Sequence, residues 1–529
     1  MRRILSLCLV IIMAFSLTAC LSDEQFSELL AALRESPEAT SSESDDYYDD
    51  DYDYDYDYDD NYDYDYDYDD SDVISNTSKS SSSKTQSKTT SSQKKKPATS
   101  SGSVNVNDYG NSNGSVADKY TNPNYNPYAT IPASAKGKTV RFATWIDHTT
   151  TEGANALKNF YKDTGVNVSL FTVPQGTYSS VLQAKIASGD VPDVFVTNDD
   201  VSGFPIMLKF AAPVNKVSSV DLNDPIWDQS MLKLGTVGGN IYFLNTLNSP
   251  WSGSNLTYYN KALFEENGFK TPEQYYNEGN WTWDTAFKVM KDIKSLGSGY
   301  EGGYIEDSIL SGSAGTSFTK YNYKTNTFTS GVGDSSLTSA YQWYIKCKKA
   351  GLMGATWSNH KQLFREGKLG VVFTGVYGLK ATGHWKDMNV EDIGYTYLPA
   401  INQNTPARTS SIWRTYGIID GAPNADAAGY FIRYWLDYKN YDLDNTFLTV
   451  DAGNFYYDVI NRTVDQKYFN FDATTCRYVG TGVHVFVSPV KGSSSEAQVV
   501  NKIYSVSNVV NQAVDCANEV IQKKIAKDR

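Results

Sequence analysis

Between Thr139 and Thr197 two kinds of apolar pattern alternate, and this alternation restricts the fold more than any other feature of the chain. Thr139 to Trp145 reads as a buried strand. Glu152 to Thr164 reads as a helix closed by Gly165, with Ala154, Leu157, Phe160 and Tyr161 on its inner face. Val166 to Phe171 is a second strand, and Val191 to Thr197 a third. Between them Thr177 to Ser188 forms a helix with Tyr178, Val181, Leu182 and Ile186 inward and Gly189 as its stop. Strands separated by helices call for a parallel α/β sheet with right-handed crossovers, because a parallel partner is reached only through a long connection. Ligands of such sheets sit beyond the C-terminal strand ends, which gathers Trp145 to His148 and Thr197 to Asp200 in one place.

Nothing before this region can fold by the same means. Asp45 to Asp70 holds 15 Asp and ten Tyr in 26 residues, and fifteen like charges repel with no partner strand in sight. Val73 to Ser103 is rich in Ser, Thr and Lys. Val104 to Pro132 is rich in Asn, Gly and Tyr and carries Pro123, Pro127 and Pro132. Residues 22–35 allow one short amphipathic helix, with Phe26, Leu29, Leu30 and Leu33 on one face, marginal in isolation. Residues 21–135 therefore read as a disordered tether.

Charge follows the same division. Residues 1–135 hold ten Lys and Arg against 24 Asp and Glu, a net of −14 that is the whole formal charge of the protein. Residues 136–529 hold 37 of each sign and all ten Trp, so the globular part has no net field to attract nucleic acid, and its length allows a sizeable core.

The first twenty residues are an address. Arg2-Arg3 and the apolar run Ile4 to Leu17 have the form of a secretory signal, too short for a mature spanning helix. It ends in Leu17-Thr18-Ala19-Cys20, which resembles the bacterial lipobox. That resemblance implies cleavage before Cys20, a lipid on its sulfur, and attachment to the outer face of the cell membrane.

The chain lacks Gly-x-Ser-x-Gly, a Walker loop, His-Glu-x-x-His and any Cys/His nucleophile pattern, so no catalytic residue is assigned. Glycoside hydrolysis needs only two carboxylates, and Asp199, Asp200, Glu301, Glu306 and Asp307 leave that alternative open. Cys347, Cys476 and Cys516 show no metal-ligand spacing against the four His, so neither metal nor cofactor is expected, and at most one disulfide can form among them.

Several segments in order then resemble the extracellular solute-binding lipoproteins of bacterial carbohydrate-uptake ABC transporters, the maltodextrin-binding-protein-like family. They are Val140 to Trp145, Phe160 to Val168, Ala187 to Val194, Gly239 to Tyr242, Tyr258 to Gly268, Trp281 to Asp284, and Phe364 to Lys368 leading into the strand Leu369 to Phe373. The resemblance implies a type II periplasmic-binding-protein-like α/β fold of two lobes joined by crossing strands, which close on a sugar in the cleft. Lobe one is then 136–250 plus 396–436, and lobe two 255–395 plus 437–529. It also implies a monomer whose partners are a carbohydrate and the permease subunits of an importer. A surface lectin uncoupled from transport shares the anchor and tether and remains an alternative.

A sugar offers an apolar ring face for stacking and a belt of hydroxyls that donate and accept, so exposed aromatics beside polar side chains are the residues to seek. Trp145 can stack while Asp147 and His148 bond hydroxyls; a core role for Trp145 is the other reading. Asn198, Asp199 and Asp200 stand where the family places hydroxyl acceptors, although its usual aromatic before them is Thr197 here. Tyr377 replaces the indole of the family's Gly-x-Trp in Gly375-Val376-Tyr377, and Trp413 with Arg414 stands where the family has a Gly-rich turn with Trp. Arg414 can fork onto two hydroxyls or a carboxylate. Trp251 sits at the first crossing between lobes. Trp227, Trp281, Trp283, Trp343 and Trp435 fit helix faces and read as core.

Overall fold

The computed structural model describes residues 128, 131–197, 203–251, 253–305, 307–406, 408–412, 414–441, 446–462, 466–472, 475 and 484–528. The signal segment, Cys20 and the tether up to residue 127 lie outside the described residues, as do Asn198, Asp199, Asp200, Trp413 and Cys476.

The first region folds as its pattern requires. Strand β1 (Thr139–Thr144) is followed by helix α1 (Gly153–Thr164), β2 (Asn167–Thr172), α2 (Tyr178–Ala187) and β3 (Val194–Thr197). β1 pairs in parallel with β2 and β3, with Phe142 opposite Leu170 and Val194. The buried face of α1 is Gly153, Ala156, Phe160 and Thr164, so the expected inner face is rotated: Ala154 and Leu157 are half-buried and Tyr161 is 54% exposed. Trp435 sets this rotation, since its ring lies where a β-carbon on Gly153 would stand. Gly165 ends the helix at φ 71°, a left-handed turn that suits glycine, and donates its N–H to Tyr161.

Helix α3 (Gln229–Leu234) precedes the long strand β4 (Gly253–Asn260), which begins the second sheet. There follow α4 (Trp283–Lys294), started by a Thr282 capping box, β5 (Glu301–Ile305), the hairpin β6 (Thr319–Asn322) and β7 (Thr327–Ser330), α5 (Ser335–Lys349), α6 (His360–Arg365) and β8 (Leu369–Gly375). Every residue of β8 is buried, as its continuous apolar and small-residue run Leu369 to Gly375 demands of a central strand. Strand β9 (Ile393–Thr396), β10 (Thr409–Ile412), β11 (Thr415–Ile418), helices α7 (Ala425–Leu436) and α8 (Val450–Ile460), β12 (Lys467–Phe469) and the long helix α9 (Ser507–Asp528) complete the elements used below.

Two sheets define the two lobes. The first runs β11-β3-β1-β2, the second β12-β10-β4-β8-β5 with β9 also paired to β4. The chain crosses from the first to the second before β4. It crosses back between Ile412 of β10 and Thr415 of β11, and returns once more between Tyr441 and Phe447. Because β9 and β10 pair with β4, residues 396–412 run with the second sheet rather than the first. That stretch is Asn-, Thr- and Pro-rich and offers no periodicity from which the crossing point can be read.

The lobes also share a core. Phe328 of the β6–β7 hairpin and Phe471 pack on Phe204, and α9 spans both sides. Its Val510 and Ala513 join Phe318, Leu337 and Tyr341, whereas Val514, Ala517, Val520 and Ile521 join the lobe-one cluster. Tyr128, placed in the tether by composition, is buried in lobe one with Ile131 and Ala135, and its hydroxyl accepts from Arg433 at 2.8 Å.

Asp472 secures the β6 hairpin by accepting from the Phe318 N–H, the Thr319 N–H and the Thr319 hydroxyl at 2.7–3.1 Å. Burial outweighs these bonds and raises its pKa to about 6. A folded-state pKa above the unfolded one means that folding takes up a proton, so the penalty is full above about pH 6 and is relieved as pH falls toward 4. Relative to Asp472→Asn, the wild type is expected to gain about 2 kcal/mol between pH 7.5 and pH 4.5, read from urea midpoints.

Candidate ligand-binding cleft

The C-terminal ends of β1 and β3 belong to lobe one and the end of β8 to lobe two, and the Lys380–Glu152 pair beyond them joins the two. Trp145 follows β1, half-buried, with its ring edge-on to Tyr178 at 5.1 Å. Asp147 is exposed, but its Oδ1 accepts from the Thr149 hydroxyl at 2.6 Å and the Thr149 N–H at 3.0 Å, and these bonds hold its pKa below the usual carboxylate range. His148 is 1% exposed, between Phe142, Trp251 and Trp435, with ring nitrogens near the Thr144 and Thr151 hydroxyls at 3.3 and 3.4 Å. Burial first, and Arg414 second, push its pKa to about 3, so it is a neutral core side chain and not the hydroxyl ligand expected.

Trp251 is also corrected. It is 5% exposed, stacked on Trp435 at 5.3 Å, and donates its indole N–H to the Tyr441 hydroxyl. The Lys380 ammonium lies 4.5 Å from its ring centre and the Arg414 guanidinium 5.6 Å, so its faces hold a core indole and two cations rather than a sugar. Trp227, Trp281, Trp283, Trp343 and Trp435 are all buried.

Lobe two offers Tyr377, half-buried just past β8. Its hydroxyl pairs with Thr374 at 2.7 Å and its ring stands edge-on to His384 at 4.5 Å. Gly375 is required beneath it, because a β-carbon there would overlap the Tyr377 ring. Around this ring the sequence reading missed a cluster. Tyr304 at the end of β5 stacks on His360 at 4.4 Å, and Trp357 lies 5.2 Å from His360 and 5.7 Å from His384. Burial pushes the pKa of His360 down to about 4, so it is neutral. The signal was the spacing Trp357 to His360 just ahead of Phe364-Arg365-Glu366-Gly367, which sets both rings at the start of the helix before the central strand.

Two further features join the lobes. Lys380, just past Tyr377, pairs with Glu152 at the start of α1 at 2.6 Å, both largely buried. Burial opposes ionisation of Glu152, yet the ammonium holds its pKa below the usual range. Arg414, on the second crossing, sets its guanidinium 5.7 Å from the Trp145 ring centre, and its main-chain carbonyl accepts from Asn245. A depression of about 460 Å³, lined by Asn159, Lys162, Asp163 and Tyr434, lies between α1 and α7, apart from the strand ends of β1, β3 and β8.

Among the carboxylates once open to a hydrolytic role, Glu301 is spoken for by Lys294 at 2.9 Å and the Gly354 N–H at 3.1 Å. Glu306 and the side chain of Asp307 lie outside the described residues. Among the described residues no group of three or more His, Cys, Asp or Glu is arranged to hold a metal, and no helix is long and apolar enough to cross a membrane. Cys347 is a buried free thiol.

Two α/β lobes with crossing strands and a cleft edged by rings are the architecture of a type II periplasmic-binding-protein-like fold. The chain belongs to the bacterial extracellular solute-binding protein family, whose model matches residues 143–441. The sugar-binding protein MalE from Xanthomonas citri is similar at 15% identity and a TM-score of 0.53, over 74% of this chain and 100% of that one. The galacto-N-biose-/lacto-N-biose I-binding protein of the ABC transporter from Bifidobacterium longum matches at 12% identity and TM-score 0.54, over 74% and 98%. UgpB from Mycobacterium tuberculosis, solved with glycerophosphocholine, matches at 14% identity and TM-score 0.55, over 71% and 98%. No curated protein sequence matches the chain.

Proposed function

We propose that this protein is a lipid-anchored, extracytoplasmic carbohydrate-binding protein that delivers a sugar or oligosaccharide to an ABC importer by closing its lobes on it. The observation that carries this reading is the placement of half-buried rings on both lobes, Trp145 after β1 and Tyr377 after β8, at the strand crossing of a solute-binding fold. Stacking on such rings suits the apolar face of a sugar and leaves its hydroxyls for polar neighbours. Trp413, Asn198, Asp199 and Asp200 belong to the same proposed site by their position in the chain. The role is binding without turnover, with the permease subunits as partners of a monomer.

A thermal-shift screen against mono- and oligosaccharides tests the reading, since a ligand that binds only the folded state raises the melting temperature. At least one saccharide is expected to do so; a flat response across the screen overturns it. With that saccharide, Tyr377→Ala is expected to weaken binding about five- to 150-fold, whereas Trp283→Phe, within the α4 core, changes stability more than affinity. The anchor has its own test. Cys20→Ala is expected to release the protein from membranes, and continued membrane fractionation in high salt counts against a lipid on that residue.

A further inference from the structure

Where the second crossing leaves lobe two, a narrow chamber of about 20 Å³ is lined by Asp228 and Asn245, by Ser254 and Ser411 of the paired strands β4 and β10, by Arg414, and by Lys467 of β12. That volume admits one or two water-sized groups. Its charges do not balance. Asp228 is the only carboxylate in the lining, and its Oδ1 is engaged as the cap of α3, accepting from the N–H groups of Ser230 at 2.8 Å and Met231 at 3.2 Å. Lys467 donates to the Ile460 carbonyl, and burial pushes its ammonium below the usual lysine range. Arg414 makes no ion pair with a carboxylate among the described residues. Its Nε and the hydroxyl of neighbouring Tyr416 are both buried without a hydrogen-bond partner. Trp145 and Trp251 flank the guanidinium.

Asp228 offsets Lys467, which leaves the Arg414 guanidinium as the sheltered charge of the lining without a carboxylate partner among the described residues, and an entering oxyanion relieves its cost where a neutral hydroxyl does not. Arginine matches a carboxylate with two parallel donors. Arg414 also borders Trp145, so a sugar ring stacked on that indole has the guanidinium beside it. We propose that the chamber receives the carboxylate of an acidic saccharide, so that the ligand of the cleft is a uronate-containing sugar. This rests on the carbohydrate reading above.

The test uses the full chain and a panel of uronic acid disaccharides, each with its methyl ester, followed by thermal shift and calorimetry. At least one acid is expected to bind about tenfold or more tightly than its ester. In Arg414→Gln that preference is expected to fall close to one. Lys467→Gln, which keeps the crossing intact, is expected to reduce it in the same direction, so the proposal stays testable should Arg414→Gln fold poorly. Esters or neutral disaccharides that bind as tightly as the acids overturn the proposal and leave the carbohydrate reading standing. A melting temperature raised equally by potassium chloride, with no further gain from the acids, shows a site for free inorganic anions and overturns it too. No response to any saccharide, acidic or neutral, overturns both readings.

Discussion

Arg433→Ala is expected to cost about 3–5 kcal/mol of stability, because it strands two buried carboxylates. Arg433, on α7, donates Nε to Asp224 at 2.7 Å and Nη1 to the Tyr128 hydroxyl at 2.8 Å, and lies 3.7 Å from Asp437. All four side chains are buried. Burial already raises the pKa of Asp437 against the pull of Arg433, so removing the cation leaves it protonated or unpaired. Arg433→Lys keeps a charge but loses the fork that reaches Asp224 and Tyr128 together, and a smaller loss is expected. Urea midpoints with unchanged slopes measure both. A loss under 1 kcal/mol for Arg433→Ala would mean that the cluster is hydrated.

Ala517→Asp is expected to be at least as damaging, at ~4 kcal/mol or more, since it puts a charge with no partner into a fully buried position of α9. That helix is held at its C-terminal end by Lys524, which donates to the Ala211 carbonyl at 2.7 Å, and by Asp528, which accepts from Tyr242 at 2.7 Å. Because α9 contributes to the cores of both lobes, the wild type is expected to melt in one transition by calorimetry and by tryptophan fluorescence alike. Two resolved transitions would show that the lobes unfold separately.

Local patterns carried much of this fold. The β-α-β-α-β order and its parallel pairing depend on residues near in sequence and are present, whereas the strand from Leu369 was legible only through the family resemblance and is present too. What stayed hidden depends on distant partners. Nothing near Tyr128 announces that Arg433, 305 positions away, will bury it, and nothing near Ala154 announces that Trp435 will turn α1 about its axis. The site divides similarly. Trp145 was proposed from the strand end that periodicity locates, and Tyr377 only from the resemblance that sets Gly375-Val376-Tyr377 at the family's Gly-x-Trp. His148, past the end of β1, and Trp251, at the first crossing, were misread because both lie against Trp435, which claims the imidazole and one indole face for the core. Tyr304 and His360 escaped notice since they stack on each other only in the folded chain, 56 positions apart in sequence.

Tyr128 has a mechanical meaning beyond its packing. It is the first described residue, and its ring is clamped between Arg433 and Tyr434, the latter 5.0 Å away, on the α7 side of lobe one. A pull on the chain from its N-terminal side is therefore delivered to α7 and the Asp224 loop, and from there into the first sheet. On the same helix Trp435 packs against Trp251, His148 and Gly153, next to the Lys380–Glu152 pair, so a pull on the chain reaches the rings that flank the strand crossings.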